Sequence, residues 1–166
     1  MQRITGNDYI RRIDNLKNEI WFDGKQIDGL ISEHPAFKGI IQSKAALYDL
    51  QHHSEYTDDM TFISPTSGER VGLSFMQPKT KDDLIKRRKM IATWAKQSHG
   101  MIGRSPDYLN TVLMSFASSA QLLEGKSFSF PNNVMALYNL AIKQDLSFTH
   151  TFISPQVNRS KIQLEL

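Results

Sequence analysis

Gly103-Arg104-Ser105-Pro106-Asp107-Tyr108 sets a cation and a phenol four residues apart at what reads as the start of a helix. Ser105 is a preferred N-cap, and Pro106 suits the first helical position, where a backbone N–H would have no partner to lose. A long helix is therefore predicted from there to about Glu124, ended by Gly125. In this reading Asp107 favours the positive end of the helix dipole and Tyr108 packs, which is all that capping requires. Arg104 stands just outside the helix, where its guanidinium can turn toward a ligand held near Tyr108. Such a pair can bind and orient a phenolate, one by charge-assisted hydrogen bonding and the other through its hydroxyl. Spacing alone favours the plainer capping role, because surface arginines near helix starts are common.

Upstream, Thr80 with Asp83 three residues later forms a capping-box pattern. It opens a helix through Leu84, Ile85, Met90, Ile91, Trp94 and Ala95 that Gly100 would stop. Thr5 with Asp8 repeats the pattern before Tyr9, Ile10, Ile13 and Leu16, a short first helix. Ile20-Trp21-Phe22, Asp23-Gly24 and Ile27 read as a small hairpin, since Asp-Gly supplies the positive φ angles of a tight primed turn. Pro35 is placed in the first turn of a helix running to about His53, with Phe37, Ile40, Ile41, Ala45, Leu47, Tyr48 and Leu50 as its apolar stripe. Met60–Ser64 and Arg70–Phe75, joined by Pro65-Thr66-Ser67-Gly68, predict a second hairpin. Downstream, Pro131 to about Asp145 is a further amphipathic helix. Leu146 to Ile153 then alternates Phe148, His150 and Phe152 with Ser147, Thr149 and Thr151, the period of a strand. Thr-Phe-Ile-Ser-Pro occurs at 61–65 and again at 151–155, but the flanks do not match, so it is read as two strand ends closed by Ser-Pro rather than a repeat.

The chain's 166 residues suit one ordinary domain, and 40% hydrophobic with 22% charged residues describe a globular protein. No run approaches the roughly 18 apolar residues of a membrane span, and Met1–Ile13 has no apolar signal region, so the expected compartment is the cytoplasm, with no membrane partner. The absence of cysteine excludes disulfides, thiolate zinc sites, cysteine nucleophiles and iron–sulfur clusters. A formal charge of +3 is mild and does not by itself imply nucleic acid.

The basic run Lys79, Lys81, Lys86, Arg87, Arg88 and Lys89 invites a helix-turn-helix reading. It fails because the following helix offers Asp107, Asn110, Thr111, Ser115, Ser118, Ser119, Gln121 and Glu124, with no Lys or Arg to hold phosphates. The run is read as a solvated helix face and no nucleic acid is expected. His52-His53 makes a poor metal site, since adjacent helical residues diverge, and no metal is expected. By itself His150 reads as a hydrogen-bonded core histidine. Ser154-Pro155-Gln156-Val157-Asn158-Arg159-Ser160 is a polar, proline-bent loop that can line a cofactor's edge, as can any surface turn.

Together these segments resemble the flavin-dependent 4-hydroxyphenylacetate 3-monooxygenase family, the oxygenase component of two-component aromatic hydroxylases. The resemblance is carried by Ile4-Thr5-Gly6, Tyr9-Ile10, His34-Pro35-Ala36-Phe37, Leu47-Tyr48-Asp49, Ser64-Pro65-Thr66-Ser67-Gly68-Glu69-Arg70-Val71 and Arg87-Arg88. Its most specific part is Gly103–Tyr108 followed by His150 and Pro155-Gln156-Val157-Asn158-Arg159-Ser160, in this order and separation. A related branch, the 4-hydroxybutyryl-CoA dehydratases, holds iron–sulfur clusters on cysteines and is set aside because this chain has none.

The resemblance implies that Arg104, Tyr108 and His150 are catalytic residues at the phenol of the substrate. It implies flavin contacts at His150, Thr151, Phe152, Gln156, Val157, Asn158 and Arg159. Reduced FAD from a separate flavin reductase, with molecular oxygen as co-substrate, would hydroxylate 4-hydroxyphenylacetate or a similar phenol ortho to its hydroxyl through a C4a-hydroperoxyflavin. Arg104 would stabilise phenolate character and His150 would accept or relay the phenolic proton. The implied fold is mainly α (α+β): a helical N-terminal domain over 1–145 with short β-hairpins, then at 146–166 the first strand of a truncated β-barrel domain. Family members run to several hundred residues and the full-length parent is expected to be a tetramer. Leu166 is therefore expected to end either a fragment or a truncated gene, and the piece alone to be catalytically incompetent. The contrasting expectation is a noncatalytic helical interaction domain built on the same scaffold, associating through the faces its missing domains would cover.

Overall fold

The computed structural model describes residues 3–101, 107–125 and 130–149. Both capping boxes form. At α1 (Gly6–Asn15) the Asp8 N–H donates to Thr5 Oγ1 at 3.1 Å, and the Thr5 N–H donates to Asp8 Oδ2 at 3.0 Å. At α4 (Lys81–Gln97) the equivalent bonds between Asp83 and Thr80 are 3.2 and 3.0 Å. Between them lie β1 (Trp21–Phe22) and β2 (Lys25–Gln26), antiparallel around Asp23 and Gly24, whose φ angles of 49° and 72° are those of the predicted primed turn. Next come α2 (Lys38–Asp49), the single turn α3 (Thr57–Met60), and the hairpin of β3 (Thr61–Ile63) with β4 (Arg70–Gly72). The last helices among the described residues are α5 (Tyr108–Ser118) and α6 (Phe130–Gln144). No helix among the described residues is long and apolar enough to cross a membrane.

Among the described residues the architecture is thus mostly helical with two small antiparallel hairpins, and several boundaries move from those predicted. Pro35 lies in the turn before α2 rather than in its first turn; Ile31–Glu33 ahead of it is a 3-10 turn. Met60 ends a helical turn instead of opening a strand, and the strand from Arg70 stops at Gly72, giving way to a 3-10 turn at Leu73–Phe75. The helix expected to reach Glu124 ends at Ser118, with a separate 3-10 turn at Ala120–Leu123; its expected cap, Ser105-Pro106, lies outside the described residues. Residues 146–149 carry no regular secondary structure, and the rest of the strand expected to Ile153 lies outside the described residues.

α1 and α2 pack closely because Gly6 has no side chain: a Cβ there would fall 2.6 Å from the Ala45 carbonyl oxygen. The Gly6 N–H instead donates to Asp49 Oδ1 at 2.7 Å. One layer of the core gathers Leu47, Leu50, Met60, Leu73, Met76 and Met90; a second gathers Phe75, Leu113, Met114, Ala117, Tyr138 and Ala141. The stretch Leu73–Met76 belongs to both, sending Leu73 and Met76 one way and Phe75 the other. Burying such an irregular stretch leaves carbonyls with few partners, which would cost about 1–3 kcal/mol each if unpaired. Side chains supply the partners. Arg87 Nη1 donates to the carbonyls of Leu73, Ser74 and Met76 at 3.2, 2.8 and 3.4 Å, and Tyr138 Oη donates to that of Phe75 at 2.6 Å.

Candidate active site

Among the described residues no side chain caps the start of α5. Asp107, at its N-cap, is turned inward with its side chain fully buried, and forms an ion pair with Arg87 at 3.0 Å. Arg87 Nη2 also donates to Thr111 Oγ1 at 2.6 Å, and that hydroxyl donates onward to Asp107 Oδ2 at 3.0 Å. This corrects two expectations. Arg87 is not part of a solvated face, although Lys86, Arg88 and Lys89 around it are exposed; and Asp107 serves a buried cation rather than only the helix dipole. The α4 stripe shifts accordingly: Leu84 and Ile85 are exposed, while Arg87 shares the inward face with Met90, Ile91 and Trp94.

Tyr108 follows directly and is 40% exposed. Successive helical residues diverge by about 100°, so the turn that buries Asp107 and Asn110 and half-buries Thr111, at i, i+3 and i+4, aims Tyr108 elsewhere. Asn110 Nδ2 donates to Ser74 Oγ at 3.1 Å and to the Leu146 carbonyl at 3.2 Å. The turn bearing Tyr108 is therefore bonded to the chain four residues before His150. Of the residues expected at the site, Tyr108 is described; Arg104, His150, Thr151, Phe152, Gln156, Val157, Asn158 and Arg159 lie outside the described residues.

The chain entering that second segment is anchored at Asp145, the left-handed residue (φ 49°) that ends α6 in a Schellman-type turn, with Leu146 N–H donating to the Ala141 carbonyl at 3.0 Å. Its carboxylate accepts from the Ile4 N–H at 3.2 Å and from Gln51 Nε2 at 3.0 Å, and its carbonyl accepts from Tyr48 Oη at 3.2 Å. Burial raises the Asp145 pKa, with the Gln51 and Ile4 donors opposing the rise. A cavity of about 40 Å³ lies beside it, lined among others by Lys44, Gln51, Trp94 and Asn110. Gln51 Oε1, Trp94 Nε1 and Asn110 Oδ1 are buried there without hydrogen-bond partners among the described residues. At roughly 10–15 Å³ per water, the space suits a few water molecules and is too small for an aromatic ring. Lys44 also borders an open groove of about 510 Å³ between α1, α2 and residues 146–149; burial lowers its ammonium pKa, and the Asp107 carboxylate pulls the other way. His52 is an ordinary end to the helical segment, its Nε2 3.1 Å from the Ile4 carbonyl oxygen.

Sequence reasoning passed over Arg87, Asp145 and Lys44. For Arg87 a signal was present: it stands three, four and seven residues before Met90, Ile91 and Trp94, inside the apolar stripe. For Asp145 and Lys44 none was, because their partners are distant in sequence.

Against known proteins, the chain is 59% identical over 158 residues to a probable 4-hydroxyphenylacetate 3-monooxygenase of Bacillus subtilis, covering 95% of this chain and 33% of that protein. It is 41% identical over 157 residues to the oxygenase component of 4-hydroxyphenylacetate 3-monooxygenase from a Geobacillus species, with 95% and 31% covered. The fold matches a crystal structure of the oxygenase component of 4-hydroxyphenylacetate 3-monooxygenase complexed with FAD and 4-hydroxyphenylacetate, with a TM-score of 0.83 and 41% identity over 96% of this chain and 32% of that one. The chain spans about a third of the length of these relatives. The family model for the N-terminal part of 4-hydroxyphenylacetate 3-hydroxylase matches residues 5–165, and with nearly every residue inside that match the chain belongs to this family.

Proposed function

We propose that this chain is the N-terminal portion of a two-component, FAD-dependent aromatic hydroxylase acting on 4-hydroxyphenylacetate or a similar para-substituted phenol. The observation that carries the reading, beyond family membership, is the bond from Asn110 to the Leu146 carbonyl, which holds the turn of Tyr108 against the chain that runs on to His150. Tyr108 donates its hydroxyl to the phenolic oxygen, Arg104 neutralises phenolate charge, and His150 accepts or relays the phenolic proton. The donor set proposed for the flavin fits by chemical type: Gln156 and Asn158 bring amide donors and acceptors, and Arg159 a cation. Reduced FAD, when bound, supplies the activated oxygen that is placed ortho to the hydroxyl. A separate reductase provides it in the reduced form, and molecular oxygen is the co-substrate.

In this proposal the helical domain extends to residue 145, a β-barrel domain begins at 146, and the complete protein is a cytoplasmic tetramer. The 166-residue chain alone neither retains FAD tightly nor hydroxylates phenols; calorimetric titration with oxidised and reduced FAD checks this, and submicromolar binding would overturn it. For the protein expressed from its whole reading frame, 4-hydroxyphenylacetate, reduced FAD and oxygen are expected to yield 3,4-dihydroxyphenylacetate. Tyr108→Phe, Arg104→Ala and His150→Ala should each lower kcat by about 10²–10⁴-fold. Failure to bind or hydroxylate any of a panel of para-substituted phenols sinks the reading. The contrasting role, a noncatalytic interaction domain, draws on the exposed Phe116 and Leu122; light scattering that finds a monomer counts against it.

A further inference from the structure

The first turn of α5 points to one more residue for this reaction, and the inference rests on the phenol-hydroxylase reading above. Among the described residues no side chain caps the turn, and Asp107, at the N-cap, commits its carboxylate to side chains instead of the turn's own N–H groups. What holds it is a set of distant partners. Arg87 is itself immobilised by the carbonyls of Leu73, Ser74 and Met76, and its other nitrogen grips Asp107 and Thr111 together. Asn110, one turn on from Asp107, is tied to Ser74 of the same stretch. Tyr108 lies between these fixed points and carries no part of the ion pair. The rotation of the turn that carries it therefore follows how deeply Asp107 is drawn toward Arg87.

We infer that Arg87 is a positioning residue for the hydroxylation: through its buried ion pair with Asp107 it fixes the rotation of the first turn of α5, and so the direction in which Tyr108 presents its hydroxyl to the phenol. A lysine cannot take its place. Only a planar guanidinium with donors on separate nitrogens reaches the 73–76 carbonyls on one side and Asp107 with Thr111 on the other. Thr111 is the weaker member, contributing one hydroxyl to the same junction.

The test uses the protein expressed from its whole reading frame, with 4-hydroxyphenylacetate as the probe and two readouts. One is KM for the phenol, with the fraction of consumed oxygen recovered as hydroxylated product. The other is hydrogen exchange at the Thr111 amide, which donates to the Asp107 carbonyl at 2.8 Å. Arg87→Lys is expected to raise KM about tenfold or more, to lower the product fraction, and to speed exchange at Thr111 by a similar factor. Thr111→Val, the milder change should Arg87→Lys fail to fold, should move all three in the same direction. Met90→Ala, which opens the wholly buried core position one turn along α4, should lower the melting temperature yet leave KM within about twofold. If Arg87→Lys and Thr111→Val leave KM, product fraction and Thr111 exchange near wild type, or if Met90→Ala shifts KM as far as they do, the positioning role is overturned. A wild-type protein that neither binds nor hydroxylates the phenol instead overturns the reading on which it rests.

Discussion

α4 and α5 begin in opposite ways. α4 opens on the exposed Thr80 and the partly exposed Asp83, three apart, which satisfy each other's backbone N–H groups and need nothing from the rest of the molecule. α5 opens on Asp107, whose carboxylate is wholly buried and answered by an arginine twenty residues earlier. The first arrangement is water-tolerant and weak. The second stands or falls with the packing around it, because a buried charge is tolerable only while its partner stays in place. The stronger device sits beside the tyrosine proposed to touch substrate; the weaker one starts the helix that delivers its arginine.

The contrast is most severely tested by Arg87→Met, which strands the Asp107 carboxylate and three carbonyls. A loss of about 3–5 kcal/mol in chemical denaturation is expected, partly restored by adding Asp107→Leu, which removes the orphaned charge. Tyr138→Phe comes next. It deletes the donor to the Phe75 carbonyl in the same buried stretch and should cost about 1–3 kcal/mol. Thr80→Ala, at the exposed start of α4, should cost about 1 kcal/mol, visible as a small fall in melting temperature. A cost equal to that of Arg87→Met would erase the distinction.

The smallest effects should appear as pH dependence. Hydrogen bonds from the Thr5 backbone and hydroxyl, and from the Lys79 and Thr80 groups, lower the pKa values of Asp8 and Asp83 below the ordinary 3.8. Their contribution is therefore fully present above that value and is lost as pH falls through the depressed pKa. Asp145 has the opposite sign. Burial raises its pKa, so the folded state binds the proton more tightly than the unfolded chain, and stability declines as pH rises through the raised value. Denaturation midpoints across the acid range should show the Asp145→Asn variant without that decline, while Asp83→Asn loses part of the fall on the acid side.

Reading the sequence succeeded where the forces are local. Thr5-x-x-Asp8, Thr80-x-x-Asp83 and Asp23-Gly24 each close their own hydrogen bonds or set their own φ angles within a few residues, and each is found in place. It slipped where a residue's role depends on distant partners. Leu84 and Ile85 read as core and Arg87 as surface by hydrophobicity, but the phase of α4 exposes the first two and buries the arginine. A local detail moved as well: Gly100 was expected to stop α4, yet His99 just before it already takes the left-handed conformation (φ 51°, with Gly100 at 69°), and the Gly100 N–H bonds to the Ala95 carbonyl. For the site, Tyr108 lies on the helix predicted to carry it, while the expected cap, Ser105-Pro106, lies outside the described residues. Arg104 and His150, which lie outside the described residues, are expected at the site through the resemblance carried by Gly103–Tyr108 and Pro155–Ser160 rather than through any local physical rule.

By itself the sequence determined the helix starts at Thr5 and Thr80, the two hairpins, and the family to which the chain belongs, since caps, primed turns and ordered motifs are written in neighbouring residues. Tertiary structure alone decided that Leu73–Met76 would be buried between two layers of core. That burial required an arginine to satisfy its carbonyls, and the same arginine drew Asp107 inward. Long-range burial changes what a charge costs, and no short window of sequence records which charges will be taken out of water together.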